Sequence, residues 1–292
     1  MLIQEKINAP DTLLKLYVAI DEDLKALHSH LRAKQLPRDP RGGTPTLSAA
    51  EVLTLLVWGA WRGLKDKATL YFHVRTYHRQ EFPTLGAYSK VVEATTRYSV
   101  ELRALLALIL HRNRQTQGPY PIVRQDSTAI AVCPVARARQ HRTFRPWARE
   151  SRHGMGWWSG FKLHVPCDEA GRLCGFDLTT ATVDDRKLLD PLTRWLKDGI
   201  VVGDGGYLSQ AKATGLAARG VYLLTTTRKN MRHLASQFQL ACLQLRPRIE
   251  ELFEFMKGAL GAVRTTHRAA DALPIHLLCC FLASSFYKSL IA

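Results

Sequence analysis

Two stretches decide how this chain folds: Ile122-Val-Arg-Gln-Asp126-Ser-Thr128 and, later in the chain, Val201-Val-Gly-Asp204-Gly-Gly-Tyr207. In each, a short apolar run typical of a buried strand leads directly to an aspartate. We therefore expect both carboxylates at the ends of neighbouring strands, where they can meet at one edge of a sheet. Paired carboxylates suit hard divalent cations, which prefer oxygen ligands.

A third carboxylate, Glu250, lies on a helix predicted from Arg248 to Leu260. Arg246 and Lys257 flank it at spacings of four and seven residues. At about 100° per residue, the three side chains fall within roughly 40° of one another. One face of this helix is therefore predicted to present a carboxylate between two cations.

The neighbouring acids Glu251 and Glu254 are the rivals of Glu250 on this helix. Glu250 lies roughly 110° from the centre of the apolar stripe, whereas each rival lies about 150° away, so only Glu250 borders the core. Glu251 and Glu254 are interpreted as solvated. The stripe consists of Ile249, Leu252, Phe253, Met256 and Leu260.

Two cations held by Asp126, Asp204 and Glu250 could activate an attacking water or hydroxyl and stabilise the leaving oxygen of a phosphodiester. The three acids therefore predict metal-dependent phosphoryl transfer. The pair Asp184-Asp185 precedes a predicted helix, and one of the two is interpreted as its N-terminal cap rather than as part of the metal site.

The charge of the chain points to a polyanionic partner. Its 292 residues include 41 Lys and Arg against 25 Asp and Glu, a formal net charge of +16. Nucleic acid suits this charge. No membrane association is predicted, because the longest apolar stretches are too short to span a bilayer, and Leu273–Tyr287 is interpreted as a buried helix. Without a signal sequence the predicted location is cytoplasmic, and the six cysteines lack zinc-ligand spacing.

The segment from Arg137 to His153, called the basic arm below, contains six arginines and two histidines against the single acid Glu150. A solvated charged loop is one interpretation. A loop beside the metal site that contacts DNA phosphates is the other, and we favour it. The predicted phosphate-contacting residues are Arg137, Arg139, Arg142, Arg145 and Arg149 of the arm, together with Arg246 and Lys257.

The apolar spacing changes near Gly118 and predicts two domains. Residues 1–117 are predicted to be all-helical and DNA-binding, with a capping box at Ser48 and Glu51 and a basic linker at residues 37–43; a fragment ending near Gln117 is expected to fold alone. Residues 118–292 are predicted to form a ribonuclease-H-like mixed α/β catalytic domain. Its predicted strands are Ile122–Gln125, Phe161–Val165, Leu173–Leu178, Ile200–Val202 and Val221–Thr226.

Over nearly its whole length the chain resembles DDE transposases of bacterial insertion sequences, closest to the insertion sequence 982 family. The resemblance implies a ribonuclease-H-like catalytic domain, Asp126, Asp204 and Glu250 as the catalytic triad, two Mg²⁺ or Mn²⁺ ions, and the terminal inverted repeats of the element as substrate. The matching stretches are Leu47–Thr54, Glu81–Pro83, Asp126–Thr128, Met155–His164, Val183–Lys187, Gly203–Tyr207, Arg228–Met231 and Arg246–Lys257.

The predicted function is therefore cleavage of transposon ends followed by strand transfer into target DNA. Joining two ends leads us to expect a homodimer or a larger assembly on DNA. Two alternatives stay open at this point: a ribonuclease-H-like endonuclease that cuts without joining, and a domesticated DNA-binding protein with an idle site.

Overall fold

A mixed β-sheet occupies the centre of the second half of the chain in the computed structural model of this protein, which describes residues 11–31, 46–64, 66–153, 156–226, 236–263 and 269–291. The predicted linker at residues 37–43 and the matching stretch Arg228–Met231 lie outside these residues. Six strands form the sheet within the described part: β1 Ile122–Cys133, β2 Arg149–His153, β3 Gly156–Cys167, β4 Asp177–Thr180, β5 Gly199–Gly203 and β6 Val221–Thr225.

The strand order is β2-β3-β1-β5-β6, with β4 also paired to β3. β1 runs antiparallel to β3 and parallel to β5, and β5 is parallel to β6. β2 and β4 pair with the first and second halves of β3. An antiparallel part joined through β1 to a parallel part is the ribonuclease-H-like arrangement, so the predicted fold class is confirmed.

Different helices cover the two faces of this sheet. On one face, Val123 and Val201 pack with α6, Leu189–Thr193, and α7, Gln210–Ala217. On the other, Ile122 and Val202 pack against α8, Gln237–Gln244. Side chains alternate between the faces of a strand. Asp126 therefore shares the face of Ile122, on the side of α8 and of the helix that follows it, α9, Pro247–Gly258.

β1 is longer than its sequence pattern predicts. The predicted strand ends at Gln125, but pairing with β3 continues through Asp126 to Cys133, so the expectation that Asp126 follows the end of its strand is wrong. The extension depends on a close approach at Gly160, where a Cβ atom would lie 2.1 Å from the carbonyl oxygen of Ile130. Only glycine allows the two backbones to pair at that point.

Other predicted elements are confirmed with shifted boundaries. The turn between β3 and β4 closes as predicted, with Gly171 N–H donating to the carbonyl of Asp168 over 2.8 Å. The third predicted strand is displaced to β4, and Leu173 forms only an isolated bridge to Cys167. The helix predicted from Asp185 consists of a 3-10 turn, Asp185–Leu188, followed by α6. Asp184 caps that turn by accepting a hydrogen bond from the backbone of Arg186, as predicted.

Five helices precede the sheet in the described residues: α1 Thr12–Leu31, α2 Ala49–Trp61, α3 Lys67–Tyr77, α4 Tyr88–Arg97 and α5 Ser99–Gln115. The predicted capping box of α2 is confirmed, because Ser48 Oγ accepts from Glu51 N–H while the Glu51 carboxylate accepts from Ser48 N–H. Whether these helices include a helix-turn-helix stays a prediction.

The last helix, α10, Ala272–Leu290, groups mainly with the N-terminal helices. Unit 1 contains residues 1–109, 258–262 and 274–292, and unit 2 contains residues 110–257 and 263–273. Inside unit 1, Trp61 Nε1 donates to the buried carbonyl of Ala283 over 2.6 Å. The expectation that every apolar stretch is too short to span a bilayer is wrong for α10, which among the described helices has the length and apolar composition of a membrane span, with 56% of that stretch buried in the protein. Helices in protein cores have the same properties.

Candidate active site

The sheet register brings Asp126 and Asp204 together. In the parallel pair of β1 and β5, Arg124 is opposite Val202. Each aspartate lies two residues further along its strand direction, and Asp204 keeps an extended backbone, with φ −77° and ψ 176°. The two carboxylates are therefore neighbours on one face, as predicted, across strands that are about 4.8 Å apart.

A backbone N–H orients each of these carboxylates. Asp126 Oδ1 accepts from Ser127 N–H over 2.7 Å, and Asp204 Oδ1 accepts from Gly206 N–H over 2.8 Å. The second oxygen of each has no hydrogen-bond donor in the part of the chain that the structure describes. Each aspartate therefore presents one fixed and one open oxygen.

Burial raises the pKa of Asp126 to about 6, and the negative charge of Asp204 adds to the rise. Arg246 opposes it, which places that guanidinium within electrostatic range of the carboxylate. Burial also lowers the pKa of Lys257, while Asp126 acts in the opposite direction. Both predicted cations thus act on Asp126, in agreement with α9 covering its face of the sheet.

The predicted apolar stripe of α9 is buried, but the expectation that Glu250 alone borders the core is wrong, because the side chains of Glu250 and Glu251 are 58% and 61% exposed. Glu250 lies on the face of Arg246, and the two side chains form an ion pair of 3.3 Å between Glu250 Oε1 and Arg246 Nη2. The Glu250 side chain is 58% exposed. Among the described residues, no three His, Cys, Asp or Glu side chains are close enough to share a metal. The structure therefore pairs Asp126 with Asp204 and leaves Glu250 outside this pair.

Tyr207 is buried within electrostatic range of both aspartates, which the sequence pattern did not reveal. It belongs to the buried core under the opposite face of the sheet, and its hydroxyl is buried without a hydrogen-bond partner among the described residues. Burial raises its pKa, and Asp185, Asp126 and Asp204 each add to the rise. Its position after Asp204, in a glycine-containing turn that begins at that acid, is the only signal in the sequence.

Asp185 acts electrostatically on the site, because its charge adds to the rise in the pKa of Asp126 and of Tyr207. Its Oδ1 lies 3.1 Å from Lys162 Nζ and 3.4 Å from Nδ1 of the fully buried His164. His164 in turn bonds Thr179 Oγ1 through Nε2 over 2.8 Å, and burial lowers its pKa to about 4. His164 pairs with Ser127 across β1 and β3, so this polar cluster lies on the face opposite Asp126.

The predicted phosphate-contacting arginines of the basic arm are solvent-exposed. Arg137 and Arg139 lie in a 3-10 helix, Val135–Gln140, and Arg149 begins β2. No carboxylate forms an ion pair with the five arginines Arg137, Arg139, Arg142, Arg145 and Arg149 within the described residues. β2, which pairs with β3 from Arg149 to His153, has no apolar run that would predict a strand. The basic arm is thus partly ordered by the sheet rather than being entirely loop.

The two aspartates fit a divalent cation. A desolvated carboxylate beside a second carboxylate is disfavoured in its charged form, as the raised pKa of Asp126 shows, and a bound cation relieves that repulsion. Their backbone-fixed geometry leaves oxygens of the kind that Mg²⁺ and Mn²⁺ bind.

A ribonuclease-H-like sheet with paired aspartates on β1 and at the end of β5 defines a metal-dependent enzyme that acts on nucleic-acid phosphodiesters. More particularly, this chain belongs to the transposase DDE domain family, whose model matches residues 117–270. It is a DDE transposase, an enzyme that cleaves DNA, and transposase DDE domains use divalent metal ions.

Comparison with solved structures finds a similar chain in the cryo-EM structure of the piggyBac transposase synaptic complex with hairpin DNA. The match covers 91% of this chain and 71% of the other, at 14% sequence identity and a TM-score of 0.49. Such a likeness assigns no residue roles. No curated protein sequence matches the chain.

Proposed function

We propose that this protein is the transposase of an insertion sequence of the 982 family, which binds the terminal inverted repeats of its element and catalyses strand cleavage and strand transfer. The observation that carries this proposal is the opposed pair Asp126 and Asp204. Two cations act on Asp126: Arg246, directly before α9, and Lys257, in the last turn of α9. Paired carboxylates hold cations, and neighbouring basic groups hold phosphates, so the two together suit a phosphodiester.

In the proposed site, Asp126 and Asp204 hold two Mg²⁺ or Mn²⁺ ions, and Glu250 completes the ligand set. When bound, such ions activate the attacking hydroxyl and stabilise the leaving oxygen. Glu250 has to exchange its ion pair with Arg246 for the metal. Its side chain is free to do so because it is exposed and lies on the same helix face as that arginine. Arg246 and Lys257 then hold the phosphate that is cut.

Water is the nucleophile in the first step and frees a 3′ hydroxyl at the transposon end. That hydroxyl attacks a phosphodiester of the target DNA in the second step, so one phosphodiester forms as another breaks. The burial that raises the pKa of Asp126 also strengthens electrostatic interactions at the reacting phosphate.

The remaining chain supplies DNA contacts. Residues 1–117 recognise the terminal repeat, and residues 118–292 carry the chemistry. The exposed arginines of the basic arm contact phosphates beside the site. Holding two ends requires a homodimer or a larger assembly on DNA, and the cytoplasm of a bacterial cell is the proposed location.

A gel assay of end cleavage and strand transfer, with a DNA that carries the inverted repeats flanking the coding sequence, tests this proposal. Joined products that require Mg²⁺ or Mn²⁺ are expected. Metal-dependent cutting without joined products would favour the endonuclease, and binding without any cutting would favour the domesticated DNA-binding protein.

Glu250→Gln and Glu251→Gln make a matched pair in this assay. Each glutamate is about equally exposed, 58% and 61%, and each forms a 3.3 Å ion pair with an arginine of the same helix region. Glu250→Gln should abolish cleavage, as should Asp126→Asn and Asp204→Asn, while DNA binding persists because basic residues supply the affinity. Glu251→Gln should remain active. The reverse result for the two glutamates would remove Glu250 from the site.

A further inference from the structure

A cavity of about 270 Å³ opens between the C-terminal end of β1, the 3-10 helix Val135–Gln140 and the start of β2. It belongs to the basic arm, not to the carboxylate site. Three arginines line it, Arg139, Arg145 and Arg149, together with His141 and the small apolar side chains of Ala138 and Ala148.

The lining of this cavity is positively charged. Arg139 and Arg145 are exposed and have no carboxylate partner in the described residues, while Arg149 is held by donating to the carbonyls of Pro146 and Ala148 over 3.2 and 2.9 Å. Glu150 is the only acid in the lining. Three guanidinium groups against one carboxylate favour an anionic ligand, and the planar guanidinium group suits a phosphate.

The histidine of this cavity is held in place before any ligand arrives. Its Nδ1 accepts from Phe144 N–H over 3.3 Å, and its ring stacks on Phe144 with the centroids 5.6 Å apart and the planes 18° from parallel. Phe144 is fully buried and packs edge-on against Phe161 of β3, 5.8 Å away. His141 is thus a rigid aromatic surface fixed to the sheet, which lowers the entropy lost when a flat ligand stacks there.

From this combination we infer that the cavity binds one unpaired nucleotide of a DNA strand, with its phosphate on the arginines and its base in the cavity. A paired duplex backbone needs only the charged rim, whereas an apolar recess beside a fixed aromatic ring suits a base that has left its stack. The volume lies below the roughly 300–1,000 Å³ of pockets for drug-sized ligands. This inference rests on the proposed action on DNA.

The test compares two fluorescent DNA probes on the full-length protein: a short duplex ending in one unpaired 2-aminopurine nucleotide, and the same duplex with that nucleotide paired. Ala138→Leu fills the cavity without changing the charge. It should weaken binding of the unpaired probe about tenfold, equivalent to about 1.4 kcal/mol, and leave binding of the paired probe unchanged. Ala148→Leu fills the cavity from another side and should act in the same way.

Ala136→Leu is the matched control, since Ala136 is exposed in the same 3-10 helix but does not line the cavity. It should bind both probes like the unchanged protein. Equal weakening of both probes by Ala138→Leu and Ala148→Leu, or of neither, would overturn the nucleotide site while leaving the proposed transposase function standing. If the unchanged protein bound neither probe, the proposed function would be overturned, and with it this inference. Free dAMP that competes as well as the unpaired probe would show that a strand is not required and would overturn the assignment to DNA.

Discussion

At the scale of single residues, the site combines a buried carboxylate with a buried hydroxyl that has no hydrogen-bond partner among the described residues. Asp126 is desolvated next to Asp204, and the hydroxyl of Tyr207 is buried nearby without a hydrogen bond in the described structure. Both features cost folding free energy, because buried charges and polar groups lose their hydration. Groups whose pKa is strongly perturbed cluster at functional sites.

Asp126→Asn should stabilise the metal-free protein at neutral pH. The folded pKa of about 6 lies above the ordinary value of 3.8, so folding favours the neutral carboxyl. The destabilisation is absent below about pH 4 and grows as the pH rises through about 6. In a chelator at about pH 7.5 the variant should therefore exceed the unchanged protein in unfolding free energy by on the order of 2–3 kcal/mol.

Thermal or urea unfolding across this pH range measures that difference. The two proteins should become equally stable toward pH 4. Added Mg²⁺ should stabilise the unchanged protein and leave Asp126→Asn unaffected, because the variant has lost a ligand. A difference that does not vary with pH would show that the charge of Asp126 is not its cause.

Tyr207→Phe should separate stability from activity. The substitution keeps the buried ring and removes a hydroxyl that has no partner among the described residues, so stability should hold or rise by about 1 kcal/mol. Single-turnover cleavage should nevertheless fall about tenfold, with a higher Mg²⁺ requirement, since we expect the hydroxyl to orient a metal-bound carboxylate as outer ligands do. A stable variant with unchanged cleavage and metal dependence would leave Tyr207 a core residue only.

At the scale of elements, the end of the basic arm forms an edge strand of the sheet. β2 pairs with β3 along residues 149–153, so Arg149 and Arg152 of that strand are held relative to the sheet that carries Asp126. An ordered array of cations can contact a fixed set of phosphates, whereas a solvated loop contributes only diffuse charge.

Replacing Arg139, Arg142, Arg145 and Arg149 together by glutamine should weaken duplex binding and flatten its salt dependence. Each phosphate contact contributes about 0.9 to the slope of log affinity against log salt, so losing four should reduce the slope by about 3 to 4. Binding isotherms over a salt series measure this. The control is Lys15→Gln with Lys25→Gln, whose charges pair with Asp11 and Asp21. A slope equal to that of the control would identify the arm as a solvated loop.

Some of the helices and strands can be predicted from the sequence pattern, and others cannot. Apolar runs locate β1, β5 and β6, and the capping box locates α2, because burial and local hydrogen bonds are encoded over a few neighbouring residues. The sequence pattern does not predict that β1 continues past Asp126. Ser127 and Thr128 are polar, and they are extended because they pair with β3. The pattern does not predict β2 either, because its residues are charged or polar and form a strand only by pairing with β3.

In the carboxylate site, too, some features could be predicted from the sequence and others could not. The opposition of Asp126 and Asp204 could be predicted because the similar apolar runs before them pair in register on parallel neighbours, even though β1 does not end at Asp126. The apolar stripe of α9 could be predicted from helical spacing alone. The approach of Asp185 and Tyr207 could not, because both reach the site through turns whose direction depends on packing under the other face of the sheet.

At the scale of the whole molecule, segments that are far apart in the chain pack into the same unit. Helix α10 groups with helices more than a hundred residues earlier in the chain, and its side chains Phe281, Leu282 and Ala283 are fully buried. Within the same unit, His276 Nε2 bonds the carbonyl of Gly261 over 3.0 Å. The functional boundary near Gly118 stays a prediction, but the packing changes what we expect of a fragment that ends there.

A fragment of residues 1–117 should form helices without unfolding cooperatively. Without α10, the buried indole N–H of Trp61 loses the carbonyl of Ala283, at a cost of about 1–3 kcal/mol, and the apolar surface that α10 covers is exposed to water. The same fragment joined by a Gly/Ser linker to residues 258–292 should regain a single cooperative transition, because unit 1 is then complete apart from the linker. Circular dichroism during thermal unfolding compares the two. An equally sharp transition in both would show that the N-terminal helices fold without α10.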